Sequence, residues 1–547
     1  MSATPAPQPS PPKVADAVAR TLKAYGARFA FGIPGNDVLE TIRACEEQGI
    51  EFVLAKAEPS ACFMADAVYQ LTGRPAVLIP ALGPGISNAV SGIAGALMER
   101  TAMMILCGEM ASRQMGIYNH QVFDHVALAK PVTKYADQLN PHRAAQQVAK
   151  ALDIALAYPA GPVMLNVPAD FNRGDSSETE ERRPPRQLPA ALTADGAAQL
   201  HKRLAAARRP LALIGRGALH DGVPAALKAF LESWQMPFFA SYKAKGVVSD
   251  YHPLCAGAVG LSPVVDGENL KLLREADLPV LVGFDPIELR DAWLDAWPES
   301  LPVVTIDWAA QTHRIFPVGE QAVGDVPTLL AQLTSRPAIA TRWPAQRLKE
   351  FNAGVAHLVR PRIPAKGISP AALFQAVSDQ AADDWIMTVD VGAHRILANH
   401  VIRCRAPGQL LQSNGLGCMG YAVPAAIGAQ LVYPDRPVVA MLGDGCMLMT
   451  QGELAVAAER DLPIVVVVLN DAALSLIKLK QDKMKMSRRA VDFRSPRFDQ
   501  IAEGFGARGV RVETIAAFDQ ALKEAVASRR FTVIDALVDP SEYWEEM

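Results

Sequence analysis

Short apolar runs alternate with amphipathic stretches along most of this chain, and the runs tend to stop at glycine or proline. Between residues 13 and 172 the pattern predicts strands at Phe29–Ile33, Ala76–Pro80 and Met103–Cys107, and a helix over Asp37–Gln48. Runs this short and apolar suit strands buried on both faces, as in a parallel sheet covered by helices. Residues 173–190, RGDSSETEERRPPRQLPA, break the pattern with charge and proline and read as a linker. The pattern resumes over 191–335, with strands expected at Leu211–Ile214, Val280–Val282 and Val303–Ile306. A stretch over 336–367, carrying Arg342, Pro344, Pro361 and Pro364, reads as a second linker. The last unit, 368–547, has strands expected at Trp385–Thr388, Val438–Leu442, Ile464–Leu469 and Phe531–Leu537. The fold class expected is α/β, with three doubly wound parallel-sheet domains in series and no short internal repeat.

Composition narrows the functions open to such a chain. With 547 residues, half of them hydrophobic, it can bury several cores. A net charge of −3 gives no basic surface for nucleic acid or an anionic membrane. The longest apolar runs, such as Leu462–Leu469, are too short to span a bilayer. The seven cysteines (Cys45, Cys62, Cys107, Cys255, Cys404, Cys418 and Cys446) show no metal-type spacing and fit a reducing compartment. Residues 1–12 lack the apolar core of a signal peptide and read as a disordered lead. A cytoplasmic protein is expected.

Chemistry concentrates in residues 438–471, VVAMLGDGCMLMTQGELAVAAERDLPIVVVVLND. An apolar strand runs into Gly443-Asp444-Gly445, a helix follows, and a second strand ends at Asn470-Asp471. The glycines allow close approach of a ligand, and a helix N-terminus behind them favours an anion. Neighbouring parallel strands end at one sheet edge, which brings Asp444 and Asp471 together where α/β folds bind ligands. Two oxygen side chains and a backbone carbonyl there suit magnesium shared with a diphosphate.

This segment resembles the binding motif of thiamine-diphosphate-dependent enzymes, with Asp471 where the family has a second asparagine. Four further segments match in chain order. AKAEPSACFMADAVYQLTG (55–73) looks like the cofactor-activating segment, and the resemblance makes Glu58 the carboxyl group that hydrogen-bonds N1′ of the aminopyrimidine. ALGPGISNAVSGIAGAL (81–97) is similar to the glycine-rich turn and helix that follow it. DVGAHR (390–395) resembles the diphosphate loop, with Gly392, Ala393 and His394 as contacts. SNGLGCMGYAVPAAIGAQL (413–431) resembles the stretch under the cofactor, where Met419 would hold its bent shape and the Gly417 carbonyl would receive the 4′-amino group. Gly443, Asp444, Gly445 and Cys446 complete the implied cofactor contacts, and Asp444, Asp471 and the Ala473 carbonyl the implied magnesium ligands. The domains then correspond to pyrimidine-binding, central and diphosphate-binding units.

The resemblance is closest to the acetolactate synthase, benzaldehyde lyase and pyruvate oxidase branch. It implies nucleophilic catalysis carried by the cofactor, with a carbon–carbon bond made or broken beside a carbonyl. The substrate implied is a 2-oxo acid or an aldehyde. It also implies a homodimer or homotetramer with active sites between subunits, Glu58 of one chain serving the Asp444 site of another. Asn36, in FGIPGND, stands where aldehyde-releasing decarboxylases carry a catalytic aspartate. In HQVFDHVALAKPVTKY, Gln121 matches a glutamine of the carboligases; His120 is a candidate proton shuttle, and Phe123, Asp124 and His125 read as structural. In AALSLIKLKQDKMKM, Lys480 replaces a pocket tryptophan of anabolic acetolactate synthases, so Lys480, Gln481 and Ile477 are candidates to face substrate. GFDPIELRDAW in the central unit is nearer to flavin-free relatives and argues against FAD. Two alternatives stay open: a lyase cleaving 2-hydroxy ketones or 2-hydroxyacyl thioesters, and a cofactor binder without catalysis. The acidic tail PSEYWEEM counts against a coenzyme A thioester, and Glu58 together with Asp444 against a mere binder.

Overall fold

A computed structural model describes residues 12–178, 182–185, 187–298, 300–313, 315–336, 343–413 and 415–543. The lead expected over 1–12 lies, apart from Pro12, outside the described residues, as do Arg342 and parts of both expected linkers. The chain divides into two compact units, Met1–Arg186 and Gln187–Met547.

The first unit holds one six-stranded sheet in the order β2-β1-β3-β4-β6-β5, every pairing parallel. Its strands are β1 (Phe29–Gly32), β2 (Glu51–Leu54), β3 (Ala76–Leu78), β4 (Met103–Glu109), β5 (Tyr135–Gln138) and β6 (Val163–Pro168). The central strands β1, β3, β4 and β6 are buried throughout, which is why their sequences are almost wholly apolar. The helix expected over Asp37–Gln48 forms as Leu39–Glu47, which leaves Asp37 in the loop behind β1.

The second unit carries two more six-stranded parallel sheets. The central one runs β12-β11-β10-β7-β8-β9, with β7 (Pro210–Ile214), β8 (Phe238–Ser241), β9 (Cys255–Val259), β10 (Leu278–Val282), β11 (Val303–Asp307) and β12 (Val318–Val323). The last runs β14-β13-β15-β16-β18-β17, with β13 (Ile386–Val389), β14 (Leu410–Gln412), β15 (Val438–Gly443), β16 (Val465–Asn470), β17 (Arg508–Val512) and β18 (Thr532–Leu537). Three parallel sheets flanked by helices are the α/β architecture that the periodicity predicts.

One stretch differs from its expectation. Within 336–367 lies a helix, Ala345–Leu358, packed on the central sheet. Leu348 and Phe351 are buried, Arg347 pairs with Glu275, and the Asn352 amide donates to the Cys255 carbonyl at 2.9 Å. The flanking prolines mark the ends of this helix rather than an extended connection. Among the described residues no helix is long and apolar enough to cross a membrane.

Candidate functional site

In the last sheet β13, β15 and β16 are neighbours, and the strand order reverses direction between β13 and β15. Loops leaving the carboxyl ends of strands at such a reversal diverge and leave a crevice. Here the crevice is a cavity of about 250 Å³. The β13 loop contributes Gly392, Ala393 and His394; the β15 loop, Gly443, Asp444, Gly445 and Cys446; the β16 loop, Asp471 and Ala473; Gly417, Met419 and Ile477 complete the wall.

The cradle is built from backbone. Gly392 and Gly443 lie against the His394 ring: a Cβ on Gly392 would meet it at 2.5 Å and one on Gly443 at 3.3 Å. A Cβ on Gly445 would strike Leu474 at 2.7 Å and sit 3.5 Å from the Met419 methyl, so Met419 reaches over the Gly-Asp-Gly turn. Asp390, fully buried, joins two of these loops: its carboxylate accepts the N–H of Val391 at 2.8 Å, of Gly420 at 2.9 Å and of Ala422 at 2.8 Å. Asp390 lies inside the DVGAHR segment, yet nothing in that segment shows that it clamps the turn bearing Met419. The Cys446 thiol donates to the Val391 carbonyl at 3.2 Å and ties the β15 loop to the same frame.

Asp444 and Asp471 face each other across the ends of β15 and β16. Asp444 Oδ1 accepts the Gly445 N–H at 2.7 Å, and Oδ2 those of Ala472 at 2.6 Å and Asp471 at 3.1 Å. Asp471 accepts the Ala473 N–H at 3.2 Å and the Ser475 hydroxyl at 2.6 Å. Burial pushes both carboxyls above the usual carboxylate range, and the Asp471 charge adds to this at Asp444. A hard dication between them would relieve that crowding. Among the described residues no group of three acidic, histidine or cysteine side chains could hold a metal, so backbone and ligand oxygens must complete the shell. His394 is buried, and its Nε2 has no hydrogen-bond partner among the described residues. Burial, with the Arg395 charge, drives its pKa down to about 3 against a hydrogen bond to the Asp390 backbone, and Nε2 is the ring atom left for a group bound in the cavity. Magnesium and a diphosphate therefore fit these residues.

The candidates for substrate contact separate. Ile477 lines the cavity and is 43% exposed, whereas Lys480 is solvent-exposed and outside the lining. Gln481 is spoken for: its amide donates to the Arg489 carbonyl at 3.0 Å. Lys478 pairs with Asp492 at 2.6 Å. Positions 480 and 481 share a helical face with 477 but lie a turn further along the helix from Ser475, and the cavity lining ends at 477.

In the first unit Glu58 opens the helix Glu58–Thr72 and is only 9% exposed. Its Oε2 accepts from the Asn88 amide, on the helix Pro84–Met98. Asn36, His120 and Gln121 are exposed. Arg173 donates to the Asn36 carbonyl at 3.3 Å. Gln121 takes a φ of 59°, unusual for a side chain of its size, and its Cβ packs on Gly83.

At the carboxyl edge of the central sheet the backbone donors are already used. The Glu288 carboxylate accepts the N–H of Arg216 at 3.1 Å and of Asp285 at 3.0 Å, and the Ser241 hydroxyl. Burial pushes its pKa up to about 7. The folded state therefore binds this proton more tightly than the unfolded chain does. The resulting stability is present below the ordinary carboxyl value and is lost as pH rises through about 7. Glu288→Gln should raise the melting temperature at pH 8 relative to the parent and leave it unchanged near pH 4.5. The difference corresponds to at most roughly 3 kcal/mol. Parallel melting curves for the two proteins would contradict this.

Three family descriptions match the sequence. Residues 12–128 match the N-terminal TPP binding domain of thiamine pyrophosphate enzymes, 197–333 their central domain and 390–536 their C-terminal TPP binding domain. An acetolactate synthase of Bacillus subtilis is 30% identical over 541 residues, covering 96% of this chain and 93% of that protein. A probable 2-ketoarginine decarboxylase of Pseudomonas aeruginosa is 31% identical over 535 residues, covering 95% and 93%. A catabolic acetolactate synthase of Raoultella terrigena is 30% identical over 526 residues, covering 94% and 92%.

Proposed function

Since this chain belongs to the thiamine pyrophosphate enzyme family, we propose that it is a 2-oxo acid decarboxylase and carboligase of the acetolactate synthase type. The observation that carries this reading is the cavity at the β13/β15 reversal, where two crowded carboxylates, a histidine with an unpartnered Nε2 and four glycines meet. Asp444, Asp471 and the Ala473 carbonyl hold magnesium. His394 and the backbone at Gly392, Ala393, Gly443 and Gly445 hold the diphosphate. Met419 and the Gly417 carbonyl support the two rings. Glu58 holds a proton shared with N1′ of the aminopyrimidine. Bound in this way, thiamine diphosphate supplies a carbon nucleophile and electron sink for bonds next to a carbonyl.

Asn36 and Gln121 support ligation over plain aldehyde release. Asparagine at position 36 cannot serve as the acid that returns a proton to a departing aldehyde, and Gln121 can hydrogen-bond a second carbonyl. His120 beside it can move a proton near neutral pH. The stretch GFDPIELRDAW, nearer to flavin-free relatives, supports an enzyme without FAD. We place the protein in the cytoplasm as a homodimer or homotetramer with its active sites between subunits, without nucleic-acid or membrane partners.

The test is a panel of 2-oxo acids, pyruvate and a guanidino-bearing acid among them, with and without an aldehyde acceptor. Carbon dioxide release coupled to a 2-hydroxy ketone or 2-hydroxy-2-alkyl-3-oxo acid product is expected. Free aldehyde as the sole product would remove the ligase half. Cleavage of added 2-hydroxy ketones without decarboxylation would favour the lyase alternative. Cofactor binding with no turnover across the panel would leave a binding protein.

A further inference from the structure

A buried histidine lies beneath the segment that carries Gln121. His125 begins the helix His125–Ala129, and its side chain is fully buried. Its two ring nitrogens have different partners. Nε2 accepts the backbone N–H of Gly83 at 3.2 Å. Nδ1 lies 3.1 Å from Glu109 Oε2 at the end of β4. A nitrogen that accepts from an amide carries no proton, so the imidazole is neutral and its one N–H points at Glu109. Glu109 is fixed in turn, by the Met110 N–H at 2.7 Å and the Asn166 amide at 2.6 Å. Burial works to raise the Glu109 carboxyl, and the hydrogen bonds from His125, Met110 and Asn166 work against it.

Gly83 is the hinge of this arrangement. It precedes the helix Pro84–Met98 at a φ of 67°, and a Cβ there would meet the Gln121 Cβ and carbonyl oxygen at 2.8 Å. The preceding amide, Leu82 N–H, is accepted by Asp37 at 2.9 Å. Asp37 lies flat on β4: a Cβ on Gly108 would stand 1.6 Å from its Oδ2. Two successive amides of the turn are therefore held by side chains anchored on the sheet, and Gln121, in a strained left-handed conformation, rests on that turn.

We propose that His125, oriented by Glu109, is a positioning residue for Gln121, acting through the Gly83 amide. This rests on the carboligase reading, in which Gln121 meets substrate. The titratable groups around the ring are Glu109 and Cys107 on β4, Asp37 behind β1 and Asp124 on its own segment. The Cys107 thiol is 3.9 Å from Nδ1, and burial drives its pKa well up, so it stays neutral.

His125→Gln and His125→Leu test this. Glutamine keeps an acceptor for Gly83 and cannot be protonated; leucine keeps only bulk. His125→Leu should lose about 10²-fold in kcat/KM, the scale for a reacting group displaced by about 1 Å. His125→Gln should recover to within about threefold of the parent, a rescue that loss of bulk alone would not give. In the cofactor-free proteins, hydrogen exchange at Gly83, corrected for the intrinsic rate, should be about tenfold faster in His125→Leu than in the parent and stay at the parent's rate in His125→Gln. A loss of about 10²-fold in kcat/KM in His125→Gln with exchange at Gly83 equal to the parent's overturns the proposal even if His125→Leu does not fold. If the parent turns over no 2-oxo acid, the carboligase reading fails instead, and the exchange comparison alone decides whether His125 holds the turn.

Discussion

Glu58→Gln is expected to lower the turnover of 2-oxo acids by about 10²–10⁴-fold, the range for loss of a positioned proton-transfer group. The substitution is nearly isosteric. Glutamine keeps an oxygen for the Asn88 amide, so the start of the helix Glu58–Thr72 keeps its side-chain contact. It cannot, however, take a proton and return it. The competing account is that a glutamate at a helix start only complements the helix dipole, which is worth about 0.3–1 kcal/mol. That account forecasts a small drop in melting temperature with turnover intact. The two separate in a single preparation: turnover by carbon dioxide release, and folding by thermal melting. Turnover above about one-tenth of the parent's would remove Glu58 from the proton relay. The residue's 9% exposure makes the chemical role the stronger, since a carboxylate with no task beyond the helix dipole would remain in water.

How legible all this is in the sequence depends on how local each device is. The Asp444–Asp471 site is legible because a strand, a turn and a strand follow one another and adjacent parallel strands end together. The buried strands β4, β15 and β16 are legible for the same reason: each is a continuous apolar run. The edge strands β2, β5, β12 and β17 are not, because their outer faces meet water and their sequences mix charge with apolar residues. The helix Ala345–Leu358 hides between prolines, its buried stripe reduced to Leu348 and Phe351. Side chains that bind backbone far along the chain leave no local trace. Asp390 reaches Gly420 and Ala422, Glu288 reaches Arg216, and His125 reaches Gly83, each of them a contact that only the assembled sheets create. Lys480 shows the converse. Its position in the motif is suggestive, but it lies one turn along the helix beyond Ile477, where the cavity lining ends, and is exposed.

Asp444→Asn should abolish turnover at ordinary cofactor concentrations, with partial recovery when magnesium is raised. Substituting residues that merely support a metal ligand costs roughly 10–100-fold in metal affinity, and a ligand itself should cost more. Asparagine keeps a carbonyl oxygen for the Ala472 and Asp471 amides across the β15–β16 junction and gives up only the acceptor of the Gly445 N–H. The useful measurement is thermal melting with and without magnesium and thiamine diphosphate. A ligand at 100 times its dissociation constant stabilises the parent by about 2.7 kcal/mol. At roughly 2–4 °C per kcal/mol for units of this size, the shift is easily read. Asp444→Asn should show almost none of it. Without ligands its melting temperature should equal or exceed the parent's, because one of two buried charges that repel each other has gone. Asp471→Asn brings in the residue that the family carries at this position. It should likewise raise the melting temperature of the cofactor-free protein, yet keep an oxygen for magnesium and most of the ligand-induced shift. The opposite signs expected for affinity and bare stability at Asp444 are what tie the pair to a cation. A variant that binds magnesium and cofactor as the parent does would show that these carboxylates serve the fold alone.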